Sequence, residues 1–418
     1  MPIQTDPSAP IADTTDETAG RLLDAASALL AAGGIKAVTA RAVAAAASSS
    51  ASAVNYYFGG REGLLLACFT AHLEQEREWR GRALDALAGL ELEAAHFPDW
   101  LAALLSQRSV QRNAPGMVER ELFLQAERLP ALLPIARIWE TEIQQFLQSA
   151  LLCFGLDPAH AEPLAELYHG ASDLRPAETD DTICSAWITV TVRRFACRLL
   201  RLPDNAGDWR AMLEKAAQHD ALSHASPESL SPAAGRILDG AIQLIAREGA
   251  AGLTHRALAS ECNVALSATT HYFASRGAIL RAAFEHLYRR MTANTPPAGE
   301  AYADISADEL AAKMANTFIA DDGAIRPELA ALDEMIVAAR RDPALSPFAL
   351  HLMASRGKAS IHFLASLRPR PADLTRTDAF LWSLGAMGAL SVARVTPRAE
   401  RRALLERSAR RRITALLG

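Results

Sequence analysis

An excess of basic residues is the first thing the chain lacks: 43 Lys and Arg stand against 48 Asp and Glu, a formal net charge of −5. That excludes a diffusely basic nucleic-acid binder and confines any such footprint to a local face. Cysteine is scarce. Cys68, Cys153, Cys184, Cys197 and Cys262 form no C-x-x-C pair, so neither a zinc framework nor a secreted disulfide scaffold is indicated, and a reducing cytoplasm is the expected compartment. No stretch approaches the roughly 18 apolar residues of a membrane span, and the opening MPIQTDPSAPIADTTDE has no basic or apolar leader region, so no membrane partner is expected. Aromatic residues make up only 6% of a chain that is 50% apolar and 22% charged. Ala, Leu, Arg and Glu dominate instead and lose little rotamer freedom in helices, so the expected fold class is all-α with packed cores.

Catalytic signatures are missing as well. There is no G-x-S-x-G, no H-E-x-x-H and no phosphate loop, so neither an enzyme nor a cofactor is expected. His351 and His362 would lie ~16 Å apart along a helix, too far to share a metal. His219 and His224 read as solvated linker residues, and Cys184 and Cys197 as buried thiols.

What is present is a duplication. At an offset of 215 residues, Gly20 to Phe69 lies over Gly235 to Phe284 without a gap, and twenty of the fifty positions are identical. They include Gly34 with Gly249, Thr39 with Thr254, Arg41 with Arg256, Ser52 with Ser267, Tyr57-Phe58 with Tyr272-Phe273, and Arg61 with Arg276. Two copies are too few for a solenoid, so each half reads as a short module followed by a divergent segment.

Each module reads as three short helices. Leu22, Leu23, Ala26, Leu29 and Leu30 keep helical spacing, repeated by Ile237, Leu238, Ala241, Leu244 and Ile245. Thr14 with Glu17 has capping-box spacing before the first copy, and Ser231-Pro232 supplies an N-cap and N1 proline before the second. Gly34 and Gly249 are placed to end these helices. Thr39 and Thr254 are placed to cap a second helix, with Ala42, Val43 and Ala46 facing inward in the first copy. A turn at Ser48 or Asn263 then leads to a third helix closing at Tyr57-Phe58 or Tyr272-Phe273, which is a helix-turn-helix order.

The pattern G-x-x-x-x-T-x-R-x-hydrophobic-A, a polar turn, then S-A-x-x-x-Y-F and a basic residue resembles the DNA-binding domain of the TetR family of bacterial repressors, over about residues 16–73 and 231–288. The resemblance implies double-stranded operator DNA as partner and a largely apolar small-molecule effector held in a helical domain. It also implies pairing of subunits through a bundle of their last two helices. Here it points to two such subunits fused as an intrachain pseudo-dimer, and a further homodimer would present four readers. It places Ser50, Ser52, Asn55 and Tyr56 towards the major groove, Thr39, Tyr57 and Arg61 on phosphates, and Arg41 on either. The second-copy counterparts are Ala265, Ser267, Thr270 and His271, with Thr254, Tyr272, Arg276 and Arg256. On their own, Tyr57 and Tyr272 also read as packing residues, the threonines as caps, and the arginines as surface charges. The family usually has Gly where Ser48 and Asn263 stand and a buried aliphatic where Ser49 and Val264 stand, which makes the first copy the weaker match.

The expected domains are a disordered tail at 1–15, modules at 16–73 and 231–288, helical domains at 74–200 and 289–418, and a linker at 201–230. For the bundle joining the halves, the candidates are Trp139 to Leu151 with Ile183 to Leu200, and Leu350 to Leu364 with Phe380 to Leu390, where Gly385 and Gly388 permit close approach. A helical ligand- or protein-binding sensor whose modules do not touch DNA is the alternative reading.

Overall fold

A computed structural model of the protein describes residues 11–171, 181–204, 231–292, 304–342, 345, 356–371 and 374–417. Among these the fold is all-α, with only isolated bridges at Ile305–Leu367 and Ile319–Ile325. The first half comprises α1 (Ile11–Gly33), α2 (Ala40–Ala46), α3 (Ala51–Phe58), α4 (Arg61–Asp85), α5 (Phe97–Val110), α6 (Asn113–Gln125), α7 (Leu133–Cys153), α8 (Ala161–Ala171) and α9 (Asp181–Leu200). The second comprises α10 (Pro232–Glu248), α11 (His255–Glu261), α12 (Leu266–Tyr272), α13 (Arg276–Thr292), α14 (Ala307–Phe318), α15 (Pro327–Arg341), α16 (Ser360–Ala365), α17 (Arg376–Val395) and α18 (Arg398–Leu417). Most of the expected linker, His219 and His224 included, lies outside the described residues, as do Leu350, His351 and Met353.

The periodic faces are buried. Leu22, Ala26 and Leu30 on α1, and Ile237, Leu238, Ala241 and Ile245 on α10, sit in the cores of their modules. Ser231 caps α10 by accepting from Ala234 N, with Pro232 at N1. The other start differs from expectation: α1 begins at Ile11, so the capping-box pair Thr14 and Glu17 lies inside the helix and the tail expected over 1–15 is partly helical.

Of the four joining segments expected, Ile183 to Leu200 on α9 and Phe380 to Leu390 on α17 do lie at the seam, and the other two differ. Trp139, Ile143, Phe146, Leu147, Ala150 and Leu151 of α7 bury their stripe inside the first half. α7 reaches the second half where Arg137 donates to the Val395 carbonyl. Ile361 and Leu364 on α16 pack within the second half, around Trp382. The seam is formed by α8 and α9 against α17 and α18, the last two described helices of each half. Periodicity reports that a face is covered, not what covers it. α18 was invisible as a core helix because its buried face includes Arg401, Ser408 and Arg412.

Where α8 crosses α17 there is no room for side chains. A Cβ at Gly388 would lie 1.8 Å from the Glu166 carbonyl oxygen, and one at Gly170 would lie 2.6 Å from that of Leu384. The contact is reciprocal at an offset of 218 residues. Gly388 thus allows close approach as expected, whereas Gly385 faces the Arg412 side chain. Ion pairs seal the seam: Arg412 reaches Glu166 at 2.5 Å, Arg401 reaches Glu127 at 2.8 Å, and Arg194 and Arg198 hold Asp378 at 2.9 and 2.8 Å. Burial would raise the Asp378 pKa, but the Arg194 hydrogen bond and the two guanidinium charges outweigh it and hold the carboxyl below its usual value.

Candidate nucleic-acid interface

Both modules build their helix-turn-helix with the same devices. Thr39 caps α2 by accepting from Ala42 N at 3.1 Å, and Thr254 caps α11 by accepting from Ala257 N at 3.0 Å. Gly34 and Gly249 adopt φ of 69° and 79° at the end of the first helix. The turn residues Ser48 and Asn263 both have φ of 50°, the left-handed conformation that explains why glycine suits this place. In α2 the inward residues are Val43, Ala44 and Ala47, while Ala46 is exposed. The short helix starts its buried face one residue later than the spacing suggested.

The recognition helices α3 and α12 hang on one buried side chain each. Val54 fills that place in the first, and Thr269 in the second, where its hydroxyl donates to the Leu266 carbonyl at 2.9 Å and lies 3.3 Å from His255 Nδ1. Around them Arg41, Ser52, Asn55, Arg256, Ser267, Thr270 and His271 are exposed, Tyr56 is 79% exposed and Tyr272 39%. Tyr57 is half-buried against its module's core. Each pair Tyr56–Tyr57 and His271–Tyr272 meets edge to face. The Thr270 hydroxyl bonds back to Ser267 O at 3.1 Å, leaving mainly its methyl and lone pairs outward.

One expectation changes, and the bracing and capping of the modules are added to the others. Arg61 donates to Val38 O and Ile35 O at 2.7 and 2.6 Å, and Arg276 donates to Ala250 O at 2.9 Å. Since Ile35 and Ala250 are equivalent, these arginines brace the loop after the first helix in both modules. Val264 is 37% exposed, not a buried anchor, so Ser49 costs the first module no core contact there. The first recognition helix is the better capped of the two: Ser50 caps α3 by accepting from Ala53 N, whereas Ala265 offers α12 no side-chain cap.

The attachment of the modules is absent from the sequence reading. Glu121 on α6 accepts from Ile35 N at 3.1 Å, and Glu334 on α15 accepts from Ala250 N at 3.2 Å. The arginines that neutralise these acids come from the opposite half. Arg341 reaches Glu121 at 2.6 Å, and Arg128 pairs with Glu334 while donating to Ala246 O at 2.6 Å. Gly34 and Gly249 leave the space: a Cβ at Gly34 would lie 2.4 Å from Arg341 Nη1, and one at Gly249 3.1 Å from Glu334 Oε2. The signal was available as Glu121 and Arg128 seven residues apart, matched by Glu334 and Arg341 at an offset of 213.

The helical bodies diverge beneath this shared frame. Between α4, α5, α6, α7 and α8 the first half buries a charged cluster: Arg108 with Glu76 at 3.1 Å and Glu119 at 2.7 Å, and His169 with Glu119 at 3.2 Å and Glu140 at 2.5 Å. Burial alone would lower the His169 pKa, but the Glu140 charge and the bonds to both carboxylates outweigh it and raise the imidazole from 6.5 to about 9. The same competition, won by the Arg108 charge, takes Glu119 down to about 2. His169 therefore adds stability that is complete below pH 6.5 and is lost as pH rises through 9. Comparing His169→Gln with the wild type by urea denaturation should show a flatter profile over that window; equal slopes would refute the coupling.

The second half opens a cavity of about 420 Å³ in the equivalent place, between α13, α14, α15 and α17. By the offsets of the shared helices, Met291, Leu332 and Met387 in its wall stand where the first half has Glu76, Glu119 and His169. Among the described residues no group of three or more His, Cys, Asp or Glu is placed to hold a metal, and no helix is long and apolar enough to cross a membrane. Cys197 is buried, which pushes its thiol up to about 11; the side chain of Cys184 lies outside what the structure describes.

Comparison with known families finds the bacterial regulatory proteins of the tetR family twice, at residues 22–68 and 237–283. No curated protein matches the chain. The two matched stretches coincide with the two modules built on Gly34 and Gly249, Thr39 and Thr254, and Arg61 and Arg276. The chain thus carries, in tandem, two modules that match the DNA-binding domain of the tetR family of bacterial regulatory proteins.

Proposed function

We propose that the protein is a ligand-responsive repressor whose single chain reads an operator with two non-identical helix-turn-helix modules, as an intrachain pseudo-dimer. The observation that carries this reading is the pair of identically framed recognition helices whose exposed residues differ: Ser50, Asn55 and Tyr56 in one, Ala265, Thr270 and His271 in the other. A duplex reader of this kind spans half-sites ~34 Å apart, and the preferred operator is an imperfect palindrome. Repression ends when an effector fills the cavity of the second half. That requires the effector to bind the DNA-incompetent arrangement more tightly than the competent one.

The test is binding to fragments of the upstream region over a salt series, with the particle mass measured alongside. Affinity should fall steeply with salt, and replacing Arg41 and Arg256 by Ala should lower the slope of log K against log salt by about two. Tyr56→Ala and His271→Ala should each weaken one half-site about tenfold or more while leaving stability within about 0.5 kcal/mol, because both side chains are exposed. Absence of selective binding at every salt would refute the proposal and leave a helical ligand or protein sensor.

A further inference from the structure

We infer that the cavity of the second half takes an amphipathic anion, an apolar body carrying one carboxylate or sulfonate held at the rim by Lys313 and Arg356. The inference rests on the reading of this cavity as the effector site and adds the chemical class of its occupant. A volume of about 420 Å³ falls within the range that encloses small organic ligands. The walls are apolar, with Phe284, Phe318 and Trp382 as the large surfaces. Among the described residues of the wall none is Asp or Glu, whereas Lys313 and Arg356 both belong to it.

The duplicated body shows what changed. In the first half the place holds Glu76 and Glu119 with Arg108, a closed set of charges. In the second half Met291 and Leu332 occupy the places of the two acids, so the interior holds apolar side chains there, and Lys313 and Arg356 are the basic residues of the cavity wall. Lys313 is exposed on α14, with its ammonium 5.6 Å from the centre of the Phe363 ring, so it stands where apolar wall meets water. Further positive charge lies close by. Lys358, between the wall residues Gly357 and Ala359, has its pKa lowered by burial and by the Arg376 charge. An apolar tail can therefore enter the cavity while its anionic head stays at the wet rim, where desolvation costs least.

The experiment compares decanoate, decanol and decyltrimethylammonium on the full chain, by calorimetry and by the fluorescence of Trp382. Decanoate should bind about tenfold or more tighter than decanol, the lower end of what a charge-assisted bond contributes, and the ammonium should bind most weakly. Lys313→Met with Arg356→Met should bring decanoate to the level of decanol without weakening decanol, and Lys313→Gln alone provides a milder variant with a smaller loss. Equal binding of decanoate and decanol, or preference for the ammonium, would overturn the inference. Operator release is measured in parallel: decanoate binding that leaves DNA affinity unchanged would keep the anion site and refute its role as effector site.

Discussion

Replacing Asp333 by Ala should lower the unfolding free energy by about 3–5 kcal/mol, the scale of removing one partner from a buried ion pair. Asp333 on α15 is completely buried and is paired with Arg120 of α6 and with Arg394 of α17, the latter at 3.0 Å. Both arginines are themselves buried, and burial already presses the Arg394 guanidinium towards its neutral form. Alanine would take from two enclosed cations the carboxylate that both of them share. Urea denaturation checks this, and a loss below about 1 kcal/mol would refute it. The apolar triple variant Arg120→Met, Asp333→Leu, Arg394→Met should regain most of the loss, since well-packed apolar groups often replace a buried ion network at little cost. Arg120 directly precedes Glu121 and Asp333 directly precedes Glu334, so the pair occupies equivalent places in the two halves. Two identical subunits would set Arg against Arg or Asp against Asp there. The duplicated chain has used its freedom to differ, and the halves are fitted to each other rather than to copies of themselves.

The second large effect is crossed. Arg128→Met alters the first half but should weaken reading by the second module, and Arg341→Met alters the second half but should weaken reading by the first. The reason is the exchange of arginines: Arg128 neutralises Glu334, which accepts from Ala250 N, and Arg341 neutralises Glu121, which accepts from Ile35 N. Losing a charged hydrogen-bond partner costs about 1.5–3 kcal/mol, or roughly 10- to 100-fold in affinity at the affected half-site. Footprinting on an operator with separable half-sites measures it. Protection lost over the half-site of the altered half, with the other retained, would refute the crossed arrangement. α15 connects this network to the effector reading, because Leu332 and Ile336 wall the cavity on the same helix that carries Asp333, Glu334 and Arg341.

The modules were legible because their signals are local. Caps act within three residues, a left-handed turn is fixed by one residue, and an amphipathic stripe repeats within one helix. Thr39, Ser231, Gly34 and Asn263 accordingly sit where the sequence placed them. The bracing of each module by Arg61 and Arg276 was not legible, because the carbonyls they reach, at Ile35 and Ala250, are brought to them only by the fold. Exposure at Val264 could not be read from its apolar side chain either.

By itself, then, the sequence determined an all-α chain with a duplicated helix-turn-helix and caps, turns and apolar faces in register, because each depends on residues close along the chain. Only the tertiary structure decided that α8 and α18 complete the seam between the halves, that each module is held by an acid of its own half and an arginine of the other, and that the equivalent interior is filled with charge in one half and open in the other. Those outcomes depend on partners some two hundred residues away. A buried arginine such as Arg412 looks like surface in a sequence until the fold brings Glu166 to within 2.5 Å of it.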